Sequence, residues 1–146
     1  EPKKTGFEWL TRDQEIVDAY DKDPLCGFTF TLNAYYHMFA GMRKLMKTDA
    51  LKKIPVNLPI LFVSGREDPV GNKGKNVIKV YDAYQKNQIQ DVRIKLYKND
   101  RHEILNELDR DVVFDDIYRW MEKRFGLRDL EVCRVLAEER EEESHE

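Results

Sequence analysis

"LPILFVSG", residues 58–65, is the stretch that decides the fold. Ile60, Leu61, Phe62 and Val63 are consecutive and apolar, so a strand built from them turns greasy side chains to both faces of its sheet. Such strands belong to parallel sheets covered on both sides by helices. Downstream, "GREDPVGNKG" (65–74) is rich in turn residues, and Val77, Ile78, Tyr81 and Tyr84 then recur on one side of a helix over about 74–88. "VRIKLY" (92–97) sets Val92, Ile94 and Leu96 against Arg93, Lys95 and Tyr97, a period of two that predicts a strand with one wetter face near a sheet edge. A last helix from about Asp109 to Arg124 spaces Val113, Ile117, Trp120 and Met121 for burial, and Gly126 suits its stop. The order βαβα implies parallel pairing through a right-handed crossover.

Two strands alone leave backbone edges unpaired, and stable sheets usually have about three or more. Upstream, residues 1–50 offer no convincing partner strand. "TRDQEIVDAY" (11–20) opens on Thr11-x-x-Gln14, the pattern of a capping box, and supplies Ile16, Val17, Ala19 and Tyr20 for a short helix. Pro24 ends it by disfavouring a helical Asp23. From Phe28 to Met46 aromatic and aliphatic residues are dense, and part of this stretch is predicted to be helical, with core packing as the default meaning of its apolar stripe. The sequence thus predicts part of a larger sheet. Glu1 is not an initiator methionine, and the expectation is that coding sequence lies upstream.

Composition removes several function classes. The chain has 146 residues, 36% of them charged, and a formal net charge of −3 with both signs interspersed; nucleic-acid binding needs clustered positive charge. No run approaches the roughly 20 apolar residues of a membrane span. Cys26 and Cys133 lie far apart and read as two reduced thiols of a cytosolic protein. "GNKGK" (71–75) fails the phosphate-loop spacing, because Pro69 and Asn76 stand where Gly and Ser or Thr are needed. His37 and His145 have no second His or Cys nearby, so neither a metal nor a cofactor is expected.

In open parallel sheets reactive groups gather at the carboxyl ends of strands. Two loops leave such ends: "SGREDPVG" with Asp68, and "NDRHEILNE" with His102, 34 residues apart, about one strand–helix unit. An Asp and a His on one rim form the orienting half of a nucleophilic triad: the carboxylate accepts from one imidazole nitrogen, and the other nitrogen takes a proton from a serine. Acid before histidine is the chain order of α/β-hydrolases, where the nucleophile comes earlier still. Taken singly, Asp68 reads as a turn aspartate before Pro69 and His102 as a histidine bonded to a neighbouring carboxylate; their joint occurrence favours chemistry.

Three segments carry a family resemblance. "LTRDQEIVDAYDKDPL" (10–25), "LPILFVSGREDPVG" (58–71) and "RHEILNE" (101–107) resemble the cap-region, acid-loop and histidine-loop motifs of the monoacylglycerol lipase/lysophospholipase group of α/β-hydrolases, also grouped with serine aminopeptidases. The resemblance implies an α/β fold comprising the C-terminal portion of such a hydrolase: the last two parallel strands with flanking helices plus the end of the cap. Residues 1–50 would be the end of the cap and the return to the core, 51–126 the C-terminal βαβα part, and 127–146 a helical and acidic tail. It implies Asp68 as triad acid and His102 as general base. Asp100 stands where the family often has a small residue.

The nucleophile elbow G-x-S-x-G is not found. Ser64 ("FVSGR") and Ser144 ("EESHE") lack its flanking glycines, as do Cys26 and Cys133. The implied partner is therefore an upstream N-terminal half supplying serine and oxyanion hole, and the chain alone is expected to be inert. The implied function is hydrolysis of lipid-type carboxylic esters, monoacylglycerols or lysophospholipids, with Phe28, Phe30, Tyr35 and Tyr36 as acyl-chain contacts. The implied location is cytoplasmic, at most peripheral at membranes. A non-catalytic binding module of the same fold is the alternative, and an aspartate nucleophile, as in dehalogenase-like relatives, a third.

Overall fold

The computed structural model describes residues 4–45 and 48–125. Helix α1 spans Gln14–Lys22 and α2 Leu32–Leu45; strand β1 is Ile60–Gly65, α3 Lys75–Lys86, β2 Val92–Tyr97 and α4 Arg110–Phe125. The expected helical tail with Cys133, the stop at Gly126, and Ser144 and His145 lie outside the described residues. The chain divides into two units, 1–110 and 111–146.

Within the first unit β1 and β2 pair in parallel, from Ile60 opposite Val92 to Gly65 opposite Tyr97. Helix α3 packs on both strands as the crossover, and its Tyr84 meets Phe62 edge-to-face at 5.1 Å. β2 follows its alternation as far as Leu96, with Val92 buried and Arg93 and Lys95 exposed, but Tyr97, expected on the wetter face, is buried. β1 departs from expectation. Ile60 to Val63 are only half-buried, because the described residues give this strand one partner and α3 as its packed helix.

Two further expectations change. Thr11 does not cap α1. Asp13 does, accepting from the Glu15 amide at 3.1 Å, while the Thr11 hydroxyl donates to the Asn106 carbonyl at 2.8 Å and accepts from the Asp13 amide. The helix starts at Gln14, so Asp13 holds the cap position and the Thr11 hydroxyl serves the turn before it. α2 is also not a core helix: none of its residues is buried, and Leu32, Tyr36 and Phe39 are all exposed. In the second unit α4 carries an i,i+4 pair, Arg119 with Asp115 at 2.9 Å, and Arg124 lies over the Trp120 ring.

Candidate active site

The loops leaving β1 and β2 meet at Gly65. A Cβ there would collide with the backbone carbonyl oxygens of Asp100 and Arg101, so the absence of a side chain is what lets one loop lie against the other. The Glu67 amide donates to the Asp100 carbonyl at 2.9 Å and stitches them together. Asp68, buried, folds its side chain back over its own turn: Oδ1 accepts from the Val70 amide at 2.8 Å and Oδ2 from the Gly71 amide at 3.2 Å. This Asx turn fixes the carboxylate before any partner arrives.

His102 Nδ1 stands 3.2 Å from Asp68 Oδ1. In the neutral imidazole one nitrogen donates and the other accepts; placing the proton on Nδ1 satisfies the carboxylate and leaves Nε2 as the acceptor. The imidazole is 38% exposed, against 8% for the Asp68 side chain, so the pair is anchored on one side and open on the other. The Trp9 ring lies 5.0 Å from the imidazole. The backbone of the same segment runs alongside, with Trp9 O accepting from the His102 amide at 3.3 Å and Leu10 O from Glu103 at 2.8 Å.

Beneath this pair lies a charged knot. The Arg12 guanidinium bonds Glu107 through Nε at 2.8 Å, Asp100 at 2.9 Å, and Asp109. Its pKa is raised, Glu107 first and then Asp109 and Asp100 outweighing the opposing effect of burial. The Asp100 carboxyl is pushed up to about 6, by burial first and then by the charges of Asp109 and Glu107; its Oδ2 is buried with no hydrogen-bond partner. These three carboxylates have oxygens within 4.8 Å of one another, and Arg12 already supplies their cation. A cleft of about 700 Å³ beside the rim is lined by Trp9, Arg12, Glu67, Pro69, Lys73 and Arg101, among others, but not by Asp68 or His102.

Comparison with known proteins now becomes decisive. Residues 2–109 match the model of the family described as serine aminopeptidase, S33. This chain belongs to that α/β-hydrolase family. It is similar to a monoacylglycerol lipase of Mycolicibacterium smegmatis, 28% identical over 115 residues, which cover 77% of this chain and 38% of that protein. It also resembles the crystal structure of a highly thermostable carboxyl esterase from Bacillus coagulans in complex with glycerol, with TM-score 0.75 and 32% identity over 84% of this chain and 40% of the other. The chain thus spans about two-fifths of the length of these relatives.

Within this serine aminopeptidase-like fold the structure brings Asp68 and His102 together but keeps the aromatic residues to themselves. Phe28 meets Phe30 at 5.4 Å, Phe30 meets Tyr35 at 5.5 Å, and Tyr35 stacks on Phe39 at 6.1 Å. Tyr36 contacts His37 and is otherwise exposed. The ring against His102 is that of Trp9, which the sequence reading passed over; its place one residue before "LTRD" was the available signal. Cys26 is no activated thiol, since burial, then Asp23 and Glu103, push its pKa up. Among the described residues no helix is long and apolar enough to cross a membrane.

Proposed function

We propose that this chain supplies the acid and the base of a serine carboxylic ester hydrolase acting on lipid-type esters such as monoacylglycerols or lysophospholipids. The serine and the oxyanion hole would come from an N-terminal half of the same hydrolase, outside this chain. The observation that supports the reading is the approach of His102 Nδ1 to Asp68 Oδ1, 3.2 Å, at the carboxyl ends of two parallel strands, with the imidazole partly exposed. Membership of the family and likeness to a lipase and an esterase support it.

Asp68 holds the imidazole with Nδ1 protonated, and Nε2 removes the serine hydroxyl proton as its oxygen bonds the ester carbonyl carbon. The imidazolium returns that proton to the departing alcohol as the ester bond breaks, leaving an acyl-serine. Water then gives a proton to Nε2 while its oxygen attacks the acyl carbon, and proton return to serine releases the fatty acid. Phe28, Phe30, Tyr35 and Tyr36 are proposed as acyl-chain contacts, the exposure of three of these rings being what recommends them.

The test is a fluorophosphonate probe, which labels an activated serine. The isolated chain should remain unlabelled, and its complex with the N-terminal half should label at a serine of that half. Labelling of this chain alone, at Ser64 or Ser144, would sink the proposed division of labour.

A further inference from the structure

The His102 side chain lies against Asp68, with Nδ1 3.2 Å from Oδ1, and against the Trp9 ring, and its own amide reaches Trp9 O at 3.3 Å. The short anchor lies one residue earlier. The Arg101 amide donates to Glu107 Oε1 at 2.7 Å. Glu107 is fully buried and accepts in addition from the Arg12 amide at 3.2 and 3.3 Å and from Arg12 Nε at 2.8 Å. Bonds from donors to a buried carboxylate are stronger than neutral ones and weaken little with exposure to salt. The Arg101 guanidinium meanwhile ties to the Glu8 and Thr11 carbonyls at 2.5 and 3.2 Å. The peptide feeding His102 is thus clamped from below by Glu107 and from beside by residues 8–12.

We propose that Glu107 is the positioning residue of His102, acting through the Arg101 amide, and that Arg12 holds Glu107 in that role. The inference rests on His102 being the proton carrier of the preceding section. A carboxylate suits the position because the groups bonded to it are all donors: the backbone N–H groups of Arg12, Arg101 and Leu108, and Arg12 Nε–H. A glutamine there would turn its own NH2 toward one of those donors. Arg12 suits it because the guanidinium fork engages Glu107 with one nitrogen while another engages Asp100 and Asp109; a lysine offers one point charge and no fork.

The experiment compares wild type, Glu107→Gln, Arg12→Lys and His102→Ala in the complete active hydrolase, using a p-nitrophenyl ester well below each thermal midpoint. A tether of His102 predicts a fall in kcat of about 10–100-fold for Glu107→Gln, because small displacements of a proton carrier cost that much, with KM within about twofold since the ester site is untouched. Arg12→Lys should show the same split, smaller. A merely structural role would lower the thermal midpoint and leave kcat per folded molecule unchanged, and that result overturns the proposal. Should Glu107→Gln fail to fold, the split in Arg12→Lys decides. The control separates the two readings: full activity of His102→Ala sinks the catalytic reading and this one with it, whereas an inactive His102→Ala beside a wild-type-like Glu107→Gln sinks only the positioning claim.

Discussion

Two regions of the first unit differ in how they are made. The rim around the strand ends is buried and largely polar: Thr11, Asp68, Asp100 and Glu107 are all buried, beside Leu10 and Ile104. The segment from Phe28 to Leu45 is apolar and aromatic, yet Phe28, Leu32, Tyr36, Phe39 and Leu45 are exposed. Hydrophobicity alone would sort these regions the other way. Partners make the difference. At the rim, carboxylates find backbone amides and a guanidinium, which offsets the cost of burying them; among the described residues, Phe28, Phe30, Tyr35 and Phe39 meet one another's rings. Position in this chain is set by directional polar bonds, and the non-directional apolar surface is left to meet whatever else comes.

The sharpest attack on that contrast is at the Asp68–His102 pair of the rim. Asp68→Asn removes the acceptor that selects the Nδ1-protonated imidazole, so kcat of the complete hydrolase should fall by about 10⁴-fold, measured by ester hydrolysis. A loss under tenfold would mean the 3.2 Å approach of Asp68 to His102 has no catalytic part. Next comes the contact that joins the loops. Gly65→Ala drives a methyl into the Asp100 and Arg101 carbonyls, where backbone on both sides leaves little room to yield, and should cost about 3 kcal/mol in urea unfolding. An unchanged midpoint would show that the loops are not locked there.

Asp100 tests whether the knot is balanced. Its carboxyl is held near 6, above the ordinary 3.8, so the folded state binds the proton more tightly than the unfolded chain does. The resulting stability is full below about pH 4 and is lost as pH rises through about 6, a change on the order of 2–3 kcal/mol. Asp100→Asn should remove this slope, gaining on wild type between pH 4 and 7 in thermal scans; parallel profiles would contradict the crowding of three carboxylates on one arginine. The smallest effect belongs to the other region. Leu32, 89% exposed, should tolerate Leu32→Ser within about 0.5 kcal/mol, and a larger loss would show that the aromatic helix is covered after all.

Much of the frame was legible beforehand. "VRIKLY" declared a strand with residue-level bounds because alternation is a local property of the chain, and parallel pairing followed from the helix between two strands. Asp68 and His102 were legible because their loops directly follow strand ends. The Arg12 knot was not. Arg12 and Glu107 lie 95 residues apart, and a charged residue in such a sequence reads as solvated until its partner is seen. Thr11 differs from expectation for a related reason: its hydroxyl serves the Asp13 amide and the remote Asn106 carbonyl, and the helix cap falls to Asp13.

By itself, then, the amino-acid order determined the elements and the rim on which Asp68 and His102 stand, since apolar period and turn chemistry act over a few residues. Tertiary structure alone decided which charges are buried and paired, that Trp9 faces His102, and that the aromatic helix is uncovered. Those outcomes depend on distances between residues remote in the chain, and a buried charge is tolerable only where folding delivers its counterpart.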